Sequence, residues 1–203
     1  LTIEARAENL ADAVVPAVVL DPQQLATTYA GDKPLAFFFA ALRALDGRLR
    51  RRGGYLVLRR GDPVAVLTAL AREVGADAIY AQADVSPYAR RRDAAVAERL
   101  PLRLMEGLTV HPPAEVVAPG GRPYAIYAQF ARAWRRPPLP AEDALLPAPG
   151  RIPTPPGLAS EELPAEPALP ASVPFPPDEA EAERRLAAFA EAENAPISRY
   201  RRD

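Results

Sequence analysis

The chain has 203 residues, with 25 Lys plus Arg against 26 Asp plus Glu, so no global field draws it to nucleic acid or anionic lipid. Cysteine is absent, which excludes disulfide frameworks, thiolate catalysis and Cys-based metal sites. No apolar run approaches the roughly 20 residues of a membrane span and no signal-peptide pattern opens the chain, so a cytoplasmic location is the default expectation.

The length suits one domain with an extension and is enough to bury a real core. Lys33 is the only lysine, so the positive charge is nearly all Arg, the planar donor suited to phosphates and carboxylates. A GC-rich coding sequence accounts for that bias equally well.

In chain order, "AVVPAVVL" (Ala13 to Leu20) is a valine-rich continuous apolar run of the kind buried on both faces of a sheet. "PLAFFFAALRALDGRLRRRG" predicts a helix from Pro34 to Gly53. Phe38, Leu42, Leu45 and Leu49 share one face of it, and arginines crowd the last turns, where the helix dipole favours cations. "YLVLRR" is the next strand. "GDPVAVLTALAREVGA" then gives Asp62 as N-cap, Pro63 at the first helical position and Gly75 at the end. "DAIYAQA" is a third strand, "DVSPYARRRD" opens a helix running to about Leu100, and "LRLME" is a fourth strand. Strands alternating with single amphipathic helices imply a parallel α/β sheet covered on both faces, a Rossmann-like arrangement. Ligands bind such sheets at the carboxyl edge, where Asp84, "LDP" (Leu20 to Pro22) and "RRGDP" (Arg59 to Pro63) all fall.

Further on, "GRPYAIYAQFARAWRR" sets Tyr124, Tyr127, Phe130 and Trp134 at three- and four-residue steps, a stripe read as packing, with Arg132, Arg135 and Arg136 facing out. From Pro137 to Pro177 lie 14 of the 25 prolines, too many for a long helix or a paired strand. This segment is expected to lie extended over a surface or to span two bodies. Pro177 and Asp178 then signal a helix with Leu186 and Phe189 on one face. The expected organisation is an α/β domain over 1–136, a proline-rich interdomain linker over 137–177, and the helix of 178–203.

Familiar catalytic signals are missing. No G-x-G-x-x-G or Walker pattern occurs, no Ser sits in a G-x-S-x-G elbow, and His111, the only histidine, has no evident metal or triad partners. Gly61 in "RRGDP" could cradle a phosphate at a helix N-terminus, but it also suits a plain strand-to-helix turn. In "DVSPYARRRD", Asp84 or Ser86 can cap the helix, Pro87 suits its first turn, and Arg90, Arg91 and Arg92 can be solvated beside Asp93.

Taken in order, "VVLDP", "FFFAALRALDGRLRRRG", "LVLRRGDP", "DVSPYARRRD", "LRLMEGLTVHPP" and "PYAIYAQFARAW" resemble the N-terminal domain of the DNA photolyase and cryptochrome family. The late "PDEAEAERRLAAF" is similar to the start of that family's flavin-binding helical domain. The resemblance implies a five-stranded parallel sheet of order 3-2-1-4-5 that in many members holds an antenna pigment, a deazaflavin, a folate or a flavin mononucleotide. FAD and the photochemistry that splits pyrimidine dimers in damaged DNA, or the sensing of blue light, would belong to the C-terminal domain, and this chain would not be catalytic by itself. The resemblance also implies a pigment cleft between the helix after "LDP" and the strand ending at Asp84. Asp84, Ser86, Arg90 and Phe38 would be its contacts and the Tyr29 to Lys33 loop its far wall. Ser86 stands where relatives carry a Glu, and Pro34 or Leu35 where they often carry an Arg.

Aligned on these motifs, Leu1 falls in the family's first helix, so the central strand ahead of it and the FAD domain after Asp203 are expected to be missing. Val14 to Leu20 and Ala78 to Ala83 then lack the neighbour that separates them. Unpaired buried backbone groups cost on the order of 1–3 kcal/mol each, which predicts instability unless the two strands pair directly or another chain fills the gap. Readings from other classes are a stand-alone nucleotide-binding module and an interaction module that docks a partner through the proline-rich segment.

Overall fold

A computed structural model describes residues 13–27, 31–139, 147–167 and 176–190. The expected helix at Leu1, Tyr29 of the expected far wall, and the end of the chain after Ala190 lie outside these residues.

Four short strands alternate with helices: β1 (Ala17–Leu20), α1 (Pro22–Leu25), α2 (Asp32–Arg51), β2 (Val57–Arg60), α3 (Pro63–Val74), β3 (Ile79–Gln82), α4 (Pro87–Ala97), β4 (Leu102–Met105), α5 (Tyr127–Trp134) and α6 (Glu179–Ala190). The helix ends follow local chemistry. Asp62 Oδ1 accepts from Ala65 N at 2.9 Å ahead of Pro63, and Gly75 closes α3 at φ 62°, the left-handed region where a side chain is penalised. The four-residue α1, capped by Asp21, has too few residues to show a period in sequence.

Among the described strands the pairing is parallel throughout but divided. β1 pairs β2 and β3 pairs β4, and no ladder joins β1 to β3. The arrangement is that of a doubly wound sheet whose two described halves are not joined by a ladder among the described residues.

Two faces are covered. Val18 and Leu20 of β1 and Leu56 and Leu58 beside them pack with Phe39, Leu42 and Leu49 of α2. Burying side chains of this size contributes about 1.5–3 kcal/mol each. On the opposite face Ala17 and Val57 meet Leu70 of α3. A third cluster joins Leu67 of α3, Ile79 of β3 and Val96 of α4, with Val19 of β1 and Leu102 of β4 against it. One apolar layer thus runs beneath both halves of the divided sheet.

The proline-rich stretch 147–167 lies along the outer edge of β2. Ser160 Oγ accepts from Leu58 N at 2.9 Å and Glu161 N donates to Leu58 O at 2.8 Å. Tyr55 Oη donates to Pro155 O at 2.6 Å, and Val14 N donates to Pro153 O at 2.9 Å. Proline cannot donate, so the strap uses carbonyls, a hydroxyl and its few N–H groups to cover an edge that would otherwise be open.

The aromatic stripe differs from its expected role. Helix α5 has no buried residue, and Tyr127 is 78% exposed. Only Trp134 finds a ring partner outside the helix, with its centroid 4.9 Å from buried His111 in an edge-on contact. Spacing aligned the aromatic residues on one side of the helix, but among the described residues Tyr127 and Phe130 stay exposed there and only Trp134 packs against a ring beyond the helix.

Candidate functional site

The parallel strands send the carboxyl ends of β1, β2 and β3 to one edge, and each is followed there by a helix start. Asp21 caps α1 by accepting from Gln23 N at 2.8 Å, Asp62 caps α3, and Ser86 Oγ caps α4 by accepting from Ala89 N at 3.3 Å. Asp84 Oδ1 accepts from Ser86 N at 2.8 Å, a side-chain turn that sets the entry into α4.

The first turns of α4 then reach across the divide. The Tyr88 hydroxyl donates to Asp21 Oδ2, joining the end of β1 to the helix after β3. Asp21 is only 7% exposed, so its carboxylate is a buried charge held by the cap and by this phenol. Burial, then the hydrogen bond to Asp21 and its negative charge, push the Tyr88 hydroxyl up to about 12. Asp62 adds to the rise and Arg92 opposes it. The Arg92 guanidinium lies 5.7 Å from the Tyr88 ring centre while pairing with buried Asp93 at 2.7 Å. Asp21, Asp62, Tyr88 and Arg92 therefore form one electrostatic group at the carboxyl edge.

The four residues singled out by sequence occupy the rim of this group and the helix beside it. Asp84 is exposed, with one oxygen in its turn, and half-buried Ser86 uses its hydroxyl as the cap. Arg90 is exposed, with no ion-pair or side-chain hydrogen-bond partner among the described residues. Phe38 sits in the second turn of α2, is 39% exposed and leans on buried Phe39 with ring centres 5.6 Å apart. The structure brings Asp84, Ser86 and Arg90 together at the start of α4, while Phe38 belongs to a helix across the sheet.

Asp21, Tyr88 and Arg92 were not selected from sequence. Their signal was the phase of α4: Ala89, Asp93 and Val96 are its buried positions, which turns Tyr88 and Arg92, four residues apart, along the flank of that face.

One face of the second half-sheet is open. Ile79 and Leu102 face the α3 layer, so Tyr80 and Gln82 of β3 and Arg103 of β4 point to the other side. Gln82 and Arg103 are exposed there, and Arg103 lies 5.7 Å from the Tyr80 ring centre and donates to its hydroxyl at 3.2 Å. Among the described residues no group of three or more His, Cys, Asp and Glu could hold a metal, and no helix is long and apolar enough to cross a membrane.

A parallel α/β layer with capped helix starts gathered at one strand edge is a fold of the doubly wound class. The family model for DNA photolyase matches residues 2–149, and the chain belongs to the DNA photolyase family, as its N-terminal α/β domain. It is 38% identical over 183 residues to a deoxyribodipyrimidine photo-lyase of Thermus thermophilus, covering 88% of this chain and 39% of that one. Its fold superposes on a bacterial class III photolyase from Agrobacterium tumefaciens with a TM-score of 0.73 at 26% identity, over 88% of this chain and 39% of the other. An archaeal photolyase from Sulfolobus tokodaii, described with two FAD molecules and a novel light-harvesting cofactor, shares the fold at a TM-score of 0.52 and 21% identity, over 64% of this chain and 30% of its own. The chain thus spans two fifths or less of the length of these relatives.

Proposed function

We propose that this chain is the antenna-type domain of a cytoplasmic, light-driven flavoprotein, taking a planar pigment at the carboxyl edge of its sheet. A deazaflavin, a folate or a flavin mononucleotide has the required chemistry: a flat aromatic body with a polar or anionic tail. The observation that supports this reading best is Arg90, an exposed cation without a partner among the described residues, standing on the first turn of α4 beside the Asp84 and Ser86 turn. Arg90 would meet the tail, Asp84 and Ser86 would offer their remaining lone pairs to ring or hydroxyl donors, and Phe38 would supply an apolar wall. Excitation energy would pass to an FAD held outside the described residues, in a protein that repairs pyrimidine dimers in damaged DNA. Residues 137–177 would link the two domains.

The test is direct titration of the purified chain with flavin mononucleotide, a methenyl-folate and a deazaflavin, read by fluorescence. Binding of one pigment that weakens about tenfold in Arg90→Ala, equivalent to about 1.4 kcal/mol, supports the reading. Absence of binding by all three up to millimolar concentration, with the fold intact by circular dichroism, refutes it.

A further inference from the structure

The strap over residues 147–167 is held in two different ways along its length. Its first half is pinned by main-chain and apolar contacts: Ile152 N donates to Arg52 O at 2.8 Å, Pro153 O and Pro155 O accept from Val14 N and Tyr55 Oη, and Leu158 N donates to Tyr55 Oη at 3.3 Å. Ile152 and Leu158 are partly buried against the clusters on the two faces of the β1–β2 pair. The second half, from Ser160 to Glu166, is held by charge. Arg60 Nε lies 3.5 Å from Glu161 Oε2 at the end of β2, and Arg43 of α2 pairs with Glu166 and donates to Pro164 O. Further along α2, Arg48 pairs with Glu179 in the first turn of α6.

All three pairs run in the same sense, with arginine on the α/β body and glutamate on the segment lying over it. From Asp32 to Arg51, α2 carries Lys33 and four arginines against two aspartates, whereas residues 147–167 carry three glutamates against one arginine. These paired side chains are between 31% and 76% exposed, so salt reaches the pairs and screens them. Apolar packing is thin beneath this half of the strap. Leu163 rests against the α2 cluster, and a cavity of about 330 Å³ is lined by Arg50, Leu58, Ser160 and Leu163.

We infer that Ser160 to Glu166 form an ion-pair latch, which swings open on the anchor at Ile152 to Leu158 when its arginine–glutamate pairs are screened, and so uncovers the outer edge of β2. Closed, the latch serves both outward groups of Leu58, the N–H through Ser160 Oγ and the C=O through Glu161 N. Open, it returns both groups to solvent as an unpaired strand edge, while the β1–β2 ladder and the α2 core stay intact. The Arg48–Glu179 pair loosens under the same screening, so α6 is released from α2 together with the latch. The inference is independent of pigment binding.

Amide hydrogen exchange of the whole chain between about 0.01 M and about 1 M sodium chloride tests it, since the screening length falls from about 30 Å to about 3 Å over that range. The Leu58 amide should exchange about tenfold faster at the high-salt end, the combined effect of the screened surface pairs. The Ile152 amide in the anchor and the Arg59 amide in the ladder should keep their rates. At low salt, Arg60→Glu and Glu161→Arg should each speed Leu58 exchange about fivefold, and the double variant, with the pair reversed, should return it to within about twofold of the original chain. Salt-independent exchange at Leu58, equal acceleration at Ile152 and Arg59, or a double variant as fast as the single ones each overturns the inference.

Discussion

Replacing Asp21 tests whether the two half-sheets are coupled through its carboxylate. The side chain caps α1 through Gln23 N and accepts the Tyr88 hydroxyl from the other half of the sheet. In Asp21→Ala the lost cap costs about 1 kcal/mol. The lost bond to a charged group costs about 1.5–3 kcal/mol, taken at the lower end because Tyr88 is only half-buried. The total of roughly 2.5 kcal/mol lowers the thermal midpoint by about 5–10 °C for a chain of this size. Asp21→Asn keeps an equally good cap and a neutral acceptor, so it loses only about 1 kcal/mol. Urea unfolding followed by circular dichroism measures both, with a check that the slope is unchanged. In a double-mutant cycle with Tyr88→Phe, the two changes should depart from additivity by about 1–2 kcal/mol. Additivity within about 0.3 kcal/mol, or an Asn variant as unstable as the Ala variant, would refute the coupling.

The same pair has a spectroscopic signature. Tyr88 titrates near 12 rather than its ordinary 10, so Tyr88→Phe should remove a late step from the alkaline titration followed by ultraviolet difference absorbance. Because its folded value is raised, the stability it contributes is complete below about pH 10 and is lost as pH climbs through about 12. Leu58→Ala, at a position 1% exposed against α2, should cost about 2–5 kcal/mol by denaturant unfolding. At Gly54 an added Cβ would meet Ile152 O at 2.8 Å and Thr154 Oγ1 at 2.9 Å, so Gly54→Ala should lift the strap and speed proteolysis within 147–167. Ser160→Ala, which leaves Leu58 N without its acceptor, should cost about 1–3 kcal/mol and raise exchange at that amide.

What the sequence disclosed was local chemistry and order along the chain. Asp62, Pro63 and Gly75 mark the ends of α3 because capping depends on neighbours within a turn. The alternation of strand and helix, with "LDP", "RRGDP" and Asp84 at strand ends, was enough to locate the carboxyl edge. The separation of β1 from β3 was foreseeable as a missing neighbour, but whether the two strands pair directly was not, since direct pairing leaves the same pattern in each strand; among the described residues no ladder joins them. The Asp21 to Tyr88 bond was illegible because 67 residues separate its partners and each residue has a sufficient local reading, as a cap and as a first-turn residue. Helix α5 illustrates the opposite error. Tyr127, Phe130 and Trp134 do align, but alignment cannot specify what stands opposite, and only Trp134 meets another ring beyond the helix.

The strap along β2 also sets a clock on synthesis. Leu58 N waits for Ser160, 102 residues later in the chain, and Tyr55 waits 100 residues for Pro155. At roughly 5–20 residues per second, the outer edge of β2 emerges about 5–20 s before its cover exists. During that interval the nascent chain presents an open parallel edge backed by a nearly complete α2 and α3 core, the stage at which one ribosome's product can pair with another's. Codon changes that slow translation between β2 and residue 160 should therefore lower soluble yield while leaving the finished protein's stability untouched.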